Sequence, residues 1–163
     1  MSYFIRIICA SQDTLTRYDI AQFILDGVYF NEQPRFDLSL EDEGLKDQSW
    51  KAFRIHYSED KRPIILQRNM ADEVLREEIT EITELVTSLD KLTEKAHLLQ
   101  KLALCKQIIA IETGYEELSR ECSEMIYTLE AFIAKRLDGF IYAPDDGFYN
   151  DELEAIYKLS ANE

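Results

Sequence analysis

QIIAIETGYEELSRECSEMIYTLEAFIAKRLDGFIYA, residues 107–143, changes its hydrophobic period twice, and that change decides the fold class. QIIAIE (107–112) is a short β-branched run closed by Gly114, which predicts a strand. From 115 to 137 the apolar residues Tyr115, Leu118, Cys122, Met125, Ile126, Leu129, Phe132, Ile133 and Leu137 recur at helical spacing. Gly139 is the expected left-handed stop, and FIYA (140–143) resumes as a strand. The beginning of the chain echoes this order. YFIRIICA (3–10) reads as a strand opening the fold, and helix 16–26 follows with Thr16 as its cap, Asp19 completing a capping-box-like pair and Gly27 as its stop. ILDGVYF (24–30) then matches RLDGFIYA (136–143), so two βαβ-like arms are expected to contribute to one sheet.

 This first strand, β-branched and aromatic with Arg6 as its one charged residue, is expected at the centre of that sheet.

Between the arms the period alternates again. RFDLSL (35–40) reads as a half-buried strand with Phe36, Leu38 and Leu40 on one side, EDEGLKDQS (41–49) as a surface loop, and WKAFRIHY (50–57) with PIILQ (63–67) as a β-hairpin. From Asn69, the expected N-cap, a long helix carries Val74, Leu75, Ile79, Ile82, Leu85, Val86 and Leu89 on one stripe. After a break at 88–90, a second helix, 91–105, carries Leu92, Leu98, Leu99 and Leu102, and the two are expected to form a helical hairpin. PDDG (144–147) is a turn. The tail FYNDELEAIYKL (148–159) has two readings, a helix capped by Asn150, which is favoured, or the second arm of a hairpin. With 163 residues, five glycines and three prolines there is no room for a linker, so residues 1–163 are expected to form one domain. The expected architecture is α+β, a mixed sheet of five to seven short strands covered on one face by the two long helices and the shorter one at 16–26.

The net charge of −14 argues against nucleic-acid binding, which draws its affinity from Lys and Arg at the phosphates. The acid is uneven, net −2 over residues 1–69 and net −12 over residues 70–163. No run is long and apolar enough to predict a membrane span. Cys9, Cys105 and Cys122 are an odd, widely spaced set in apolar surroundings, expected as buried thiols. Arg6 interrupts the apolar run of MSYFIRIICAS and no basic segment precedes it, so a secretory leader is not expected and the reading is a reducing cytoplasm.

No motif specifies a reaction. His56 and His97 are isolated, no G-x-S-x-G elbow occurs, and the five glycines stand apart instead of forming a phosphate-binding loop, so neither catalytic residues nor a cofactor or metal site is expected. Glu112, Asp145 and Asp146 would be the carboxylates of an alternative, a metal-dependent enzyme. The glutamates 73, 77, 78, 81 and 84 form an acidic helix face. Residues 138–154 hold six acids and no basic residue, interleaved with Tyr142, Phe148 and Tyr149. Aromatic anchors beside acids suit a protein interface, since buried rings supply affinity and charge supplies rate and register. The expectation is therefore a non-enzymatic cytoplasmic binding domain. Its Asp145, Asp146, Tyr149 and Glu152 would engage a basic protein partner, as in an immunity or inhibitor protein, with helix 91–105 the candidate surface for a homo-oligomer.

LDGFIYAPDDGFY (137–149) resembles the tail of small bacterial α+β proteins of unknown function, in which a long helix ends at a DG step and runs into a strand and a DGFY-like turn. The resemblance covers 13 residues of the chain and implies the same fold class, with no catalytic residues.

Overall fold

Ile5, Ile7 and Cys9 point to one side of the first strand, β1 (Ser2–Cys9), and Ile8 to the other, so this strand needs cover on both faces. The computed structural model describes residues 2–70, 72–114 and 118–159 and supplies that cover. Along the chain β1 is followed by α1 (Arg17–Gly27), β2 (Arg35–Phe36), a 3₁₀ turn (Glu43–Lys46), β3 (Ala52–His56), β4 (Ile64–Met70), α2 (Glu73–Thr87) and α3 (Leu92–Ala103). Then come β5 (Gln107–Gly114), α4 (Arg120–Leu137), β6 (Gly139–Ala143), β7 (Gly147–Tyr149) and β8 (Ala155–Lys158). The eight strands form one sheet, ordered β2-β3-β4-β5-β1-β6-β7-β8, with every neighbouring pair antiparallel.

The two arms interlock. β5 leads through α4 to β6, which runs parallel to it with β1 between them, while β1 leads through α1 and the β2–β3 segment to β4, parallel to it with β5 between. These are two split β-α-β units, the ferredoxin-like connectivity. Helices α1 and α4 pack with Ile7, Ile109 and Ile141 on one face of the sheet, and α2 and α3 pack with Ile8, Ile108 and Phe140 on the other.

The α+β class therefore stands, but the sheet is antiparallel, not mixed, it has eight strands, and both of its faces carry helices. The neighbouring buried pairs Ile7–Ile8 and Ile108–Ile109 require this, because successive strand residues face opposite ways. Other expectations shift locally. Asn69 lies in β4 opposite Ile108, and the cap of α2 is Asp72, whose Oδ1 accepts from the Leu75 amide at 2.9 Å. Val74 and Leu92, placed on the apolar stripes, are exposed. Helix α4 begins at Arg120 under a Ser119 cap, and Tyr115, read as part of that helix, lies outside the described residues. Of 35–40 only Arg35–Phe36 is strand, since the Asp37 carboxylate takes the Arg54 amide at 3.0 Å in place of a ladder partner.

The helix stops are Val28 (φ 47°) and Asp138 (φ 52°) instead of Gly27 and Gly139. Gly139 opens β6, where a Cβ would stand 3.0 Å from the Ile8 carbonyl. The tail is a strand, not the favoured helix. Asn150 Oδ1 accepts from the Glu152 and Glu154 amides, each at 2.9 Å, and Leu153 takes φ 64°, so Asn150 closes a turn that sends β8 back along β7. The capping box of α1 forms as expected, with Thr16 and Asp19 each accepting the other's amide at 3.1 Å.

Candidate functional site

The β6–β7 turn is built from the PDDG expected to make it. The Asp146 amide donates to the Ala143 carbonyl at 3.0 Å, and Asp145 takes φ 65°, a conformation that Asp tolerates better than most residues. The turn is then tied down from two directions. Tyr3 of β1 donates its hydroxyl to the Pro144 carbonyl at 2.9 Å, and the Leu159 amide donates to the Asp146 carbonyl at 2.8 Å.

Beneath this turn, between α4 and the β1–β6–β7 part of the sheet, lies a cavity of about 390 Å³. Ile5, Ile141, Ala143 and Leu153 supply its apolar wall, Tyr3, Tyr127 and Tyr149 its rings, and Glu130 and Asp146 its carboxyl groups. Glu130 is the floor, only 4% exposed, whereas Tyr127 at 58% and Asp146 stand at the mouth. Burial, with a smaller contribution from the Asp146 charge, pushes the Glu130 carboxyl up to about 8 from its ordinary 4.5. Neither a hydrogen bond nor a cation offsets that shift. The Tyr149 hydroxyl donates to Asp146 Oδ1 at 2.8 Å, and burial together with that bond raises Tyr149 to about 12. Near neutral pH the site therefore holds a protonated Glu130 at the bottom of an aromatic cleft, with Asp146 at the rim.

No protein-family model, curated protein or solved structure matches this chain.

Of the four residues read as partner-binding, Asp146 and Tyr149 are brought together at the cavity. Asp145 is exposed on the turn outside it, and Glu152 is exposed on the following loop, 3.7 Å from Lys135 Nζ. The carboxylates of the metal-enzyme alternative are not assembled. Glu112 accepts from Ser2 Oγ at 2.6 Å and Gln67 Nε2 at 3.2 Å and faces Arg62, and among the described residues no three His, Cys, Asp or Glu side chains are grouped to hold one ion. On the acidic face of α2, Glu78 is paired with Arg6 across from β1. The leucines of α3 divide: Leu98 and Leu102 are buried, and Leu92 is exposed. Cys9, Cys105 and Cys122 are free thiols, all shifted upward by burial, and no helix among the described residues is long and apolar enough to cross a membrane.

Glu130, Tyr3 and Tyr127 were not among the expected site residues. The signal for Glu130 was present: it occupies the helical face defined by Ile126, Ile133 and Leu137, where an acid breaks an otherwise apolar row. A wider, shallow groove of about 670 Å³ lies between Phe30, Tyr57 and Glu121, but its acids Glu32, Glu59 and Asp60 are fully at the surface and none is buried within it.

Proposed function

We propose that this protein is a non-enzymatic binding module that receives a basic protein partner on its acidic C-terminal face, through Asp145, Asp146, Tyr149 and Glu152. An immunity or inhibitor protein against a basic toxin is one concrete form of this function. The observation that carries the reading is the cleft under the β6–β7 turn, where two carboxyl groups and three tyrosines meet and no Lys, Arg or His among the described residues enters the lining. The net −12 of residues 70–163 adds a field that speeds the approach of a positive surface, and the rings offer it a desolvated anchor. The Lys135–Glu152 pair does not cancel that field, since both side chains are more than half exposed and such a pair contributes about 0–1 kcal/mol. A partner's basic residue can replace Lys135 there.

The test is charge reversal. The triple variant Asp145→Lys, Asp146→Lys, Glu152→Lys, used as bait beside the native protein at low ionic strength, is expected to lose a basic protein that the native bait retains, and the native complex should weaken steeply with salt. Recovery of nothing by the native bait, or an equally strong complex with the triple variant, would remove the reading.

A further inference from the structure

Glu130 presents a problem that the partner surface alone does not solve. A carboxyl group costs stability when it is desolvated, and here the cost falls in the middle of α4, between Leu129 and Ile133, where an apolar residue would pack. The side chain is directed into an open cavity instead of being closed over, so a ligand can reach it. The surroundings restrict what that ligand can be. Four aliphatic side chains line the wall, which suits an unbranched apolar stem. The faces of tyrosine rings attract cations. Among the described residues the lining has no basic side chain to receive an anion, and its volume lies in the range of ligand pockets, at the small end.

We propose that this cavity holds a primary alkylammonium group, with Glu130 as its counter-ion, the stem along Ile5, Ile141 and Leu153, and Tyr127 and Tyr149 flanking the charge. An ammonium fits better than a guanidinium. It brings three N–H donors, which Glu130 and the free oxygen of Asp146 can meet, while the five donors of a guanidinium exceed what the lining offers once Asp146 Oδ1 is bonded to Tyr149. The source of the group, on the reading given above, is a lysine side chain of the basic partner; a free alkylamine offers the same chemistry. The titratable groups facing Glu130 are Tyr3 from β1, Tyr127 from its own helix, Asp146 from the turn and Tyr149 from β7. Entry of the ammonium below about pH 8 ionises Glu130, and the proton leaves the carboxyl for solvent, so affinity rises with pH until Glu130 is ionised without the ligand.

The probe is n-butylammonium, titrated into the full chain by NMR at pH 6.5 and 8.5, with n-butanol as the neutral probe and a short lysine peptide as the second source. Saturable shifts at Ile5, Ile141 and Leu153 are expected with butylammonium and the peptide, at least tenfold tighter than with butanol and tighter at pH 8.5 than at 6.5. Glu130→Gln should weaken butylammonium at least tenfold and abolish the pH effect, Tyr127→Leu at the exposed mouth should weaken it several-fold, and Glu59→Gln, outside the cavity, should change nothing. Equal binding of butanol and butylammonium, or unchanged binding by Glu130→Gln, would overturn the proposal. If butylammonium fails while charge reversal still releases the basic partner, the cavity assignment falls and the surface reading survives. If butylammonium binds as expected and charge reversal has no effect, the reverse holds.

Discussion

Replacing Glu130 by glutamine removes the ionisable proton and keeps the shape, and the pH dependence of its effect can be worked out in advance. The folded chain holds the Glu130 proton up to about pH 8, whereas the unfolded chain releases it near the ordinary value of 4.5. Below that value both states are protonated and the acid carries no penalty. As pH rises the unfolded state gains from ionisation and the folded state does not, so native stability falls by about 1.4 kcal/mol per pH unit until Glu130 itself ionises. At pH 7 the gap of roughly 2.5 units amounts to about 3 kcal/mol. For a chain of this size that is a midpoint shift on the order of 6–12 °C. Urea and thermal unfolding of native protein and Glu130→Gln at intervals from about pH 4 to 9 provide the assay. Every other ionisable group is common to the two proteins, so the pH-dependent part of their difference reports position 130, and any fixed cost of the buried amide appears as a constant offset. The variant should gain on the native protein steadily between about pH 4.5 and 8 and level off above. A difference that stays flat over that interval refutes the argument that Glu130 is held protonated.

Two backbone substitutions test the geometry elsewhere. Val28 adopts φ 47° at the end of α1 with 79% of its surface exposed, so it loses almost no packing on replacement, and Val28→Gly should stabilise the protein by about 1 kcal/mol, raising its melting midpoint by a few degrees. An unchanged or lower midpoint would mean that this left-handed residue is not strained. Gly147 takes φ 157°, and a Cβ there would stand 2.5 Å from the Tyr157 carbonyl, so Gly147→Ala should cost about 2 kcal/mol or more and loosen β8 first. Hydrogen exchange at the Leu159 amide, which donates to the Asp146 carbonyl at 2.8 Å, would reveal that loosening, and native-like protection would contradict it.

Local chemistry was legible and long-range pairing was not. The Thr16–Asp19 box lies within one helical turn, so its residues alone define it, and it forms as read. The PDDG turn is equally local. The side of the sheet on which each helix lies depends instead on which strand neighbours which, and β1 pairs with β5 and β6 from the far half of the chain, information that no short window contains. The tail was misread because Asn150 serves equally well as a helix cap and as an Asx turn, and only the bonding of its side chain to both Glu152 and Glu154 amides separates the two. For the site, the acids and rings of 138–154 drew attention by composition, and two of the four chosen residues, Asp146 and Tyr149, do line the cavity. Glu130 was passed over because it lies in α4, away from the acid-rich segment, although it interrupts an apolar helical row.

The central place of β1 has a consequence for synthesis. This strand is among the first parts of the described chain to leave the ribosome, yet its two neighbours, β5 and β6, are completed only at Gly114 and Ala143. At typical elongation speeds of about 5–20 residues per second the delay before its second edge is filled is roughly 7–27 s. Until Gly114 is made neither edge of the strand has its native partner, and until Ala143 is made one row of its backbone amides and carbonyls still lacks one. A nascent chain with this topology keeps an apolar strand with an open edge for longer than one whose opening strand pairs at once with its successor.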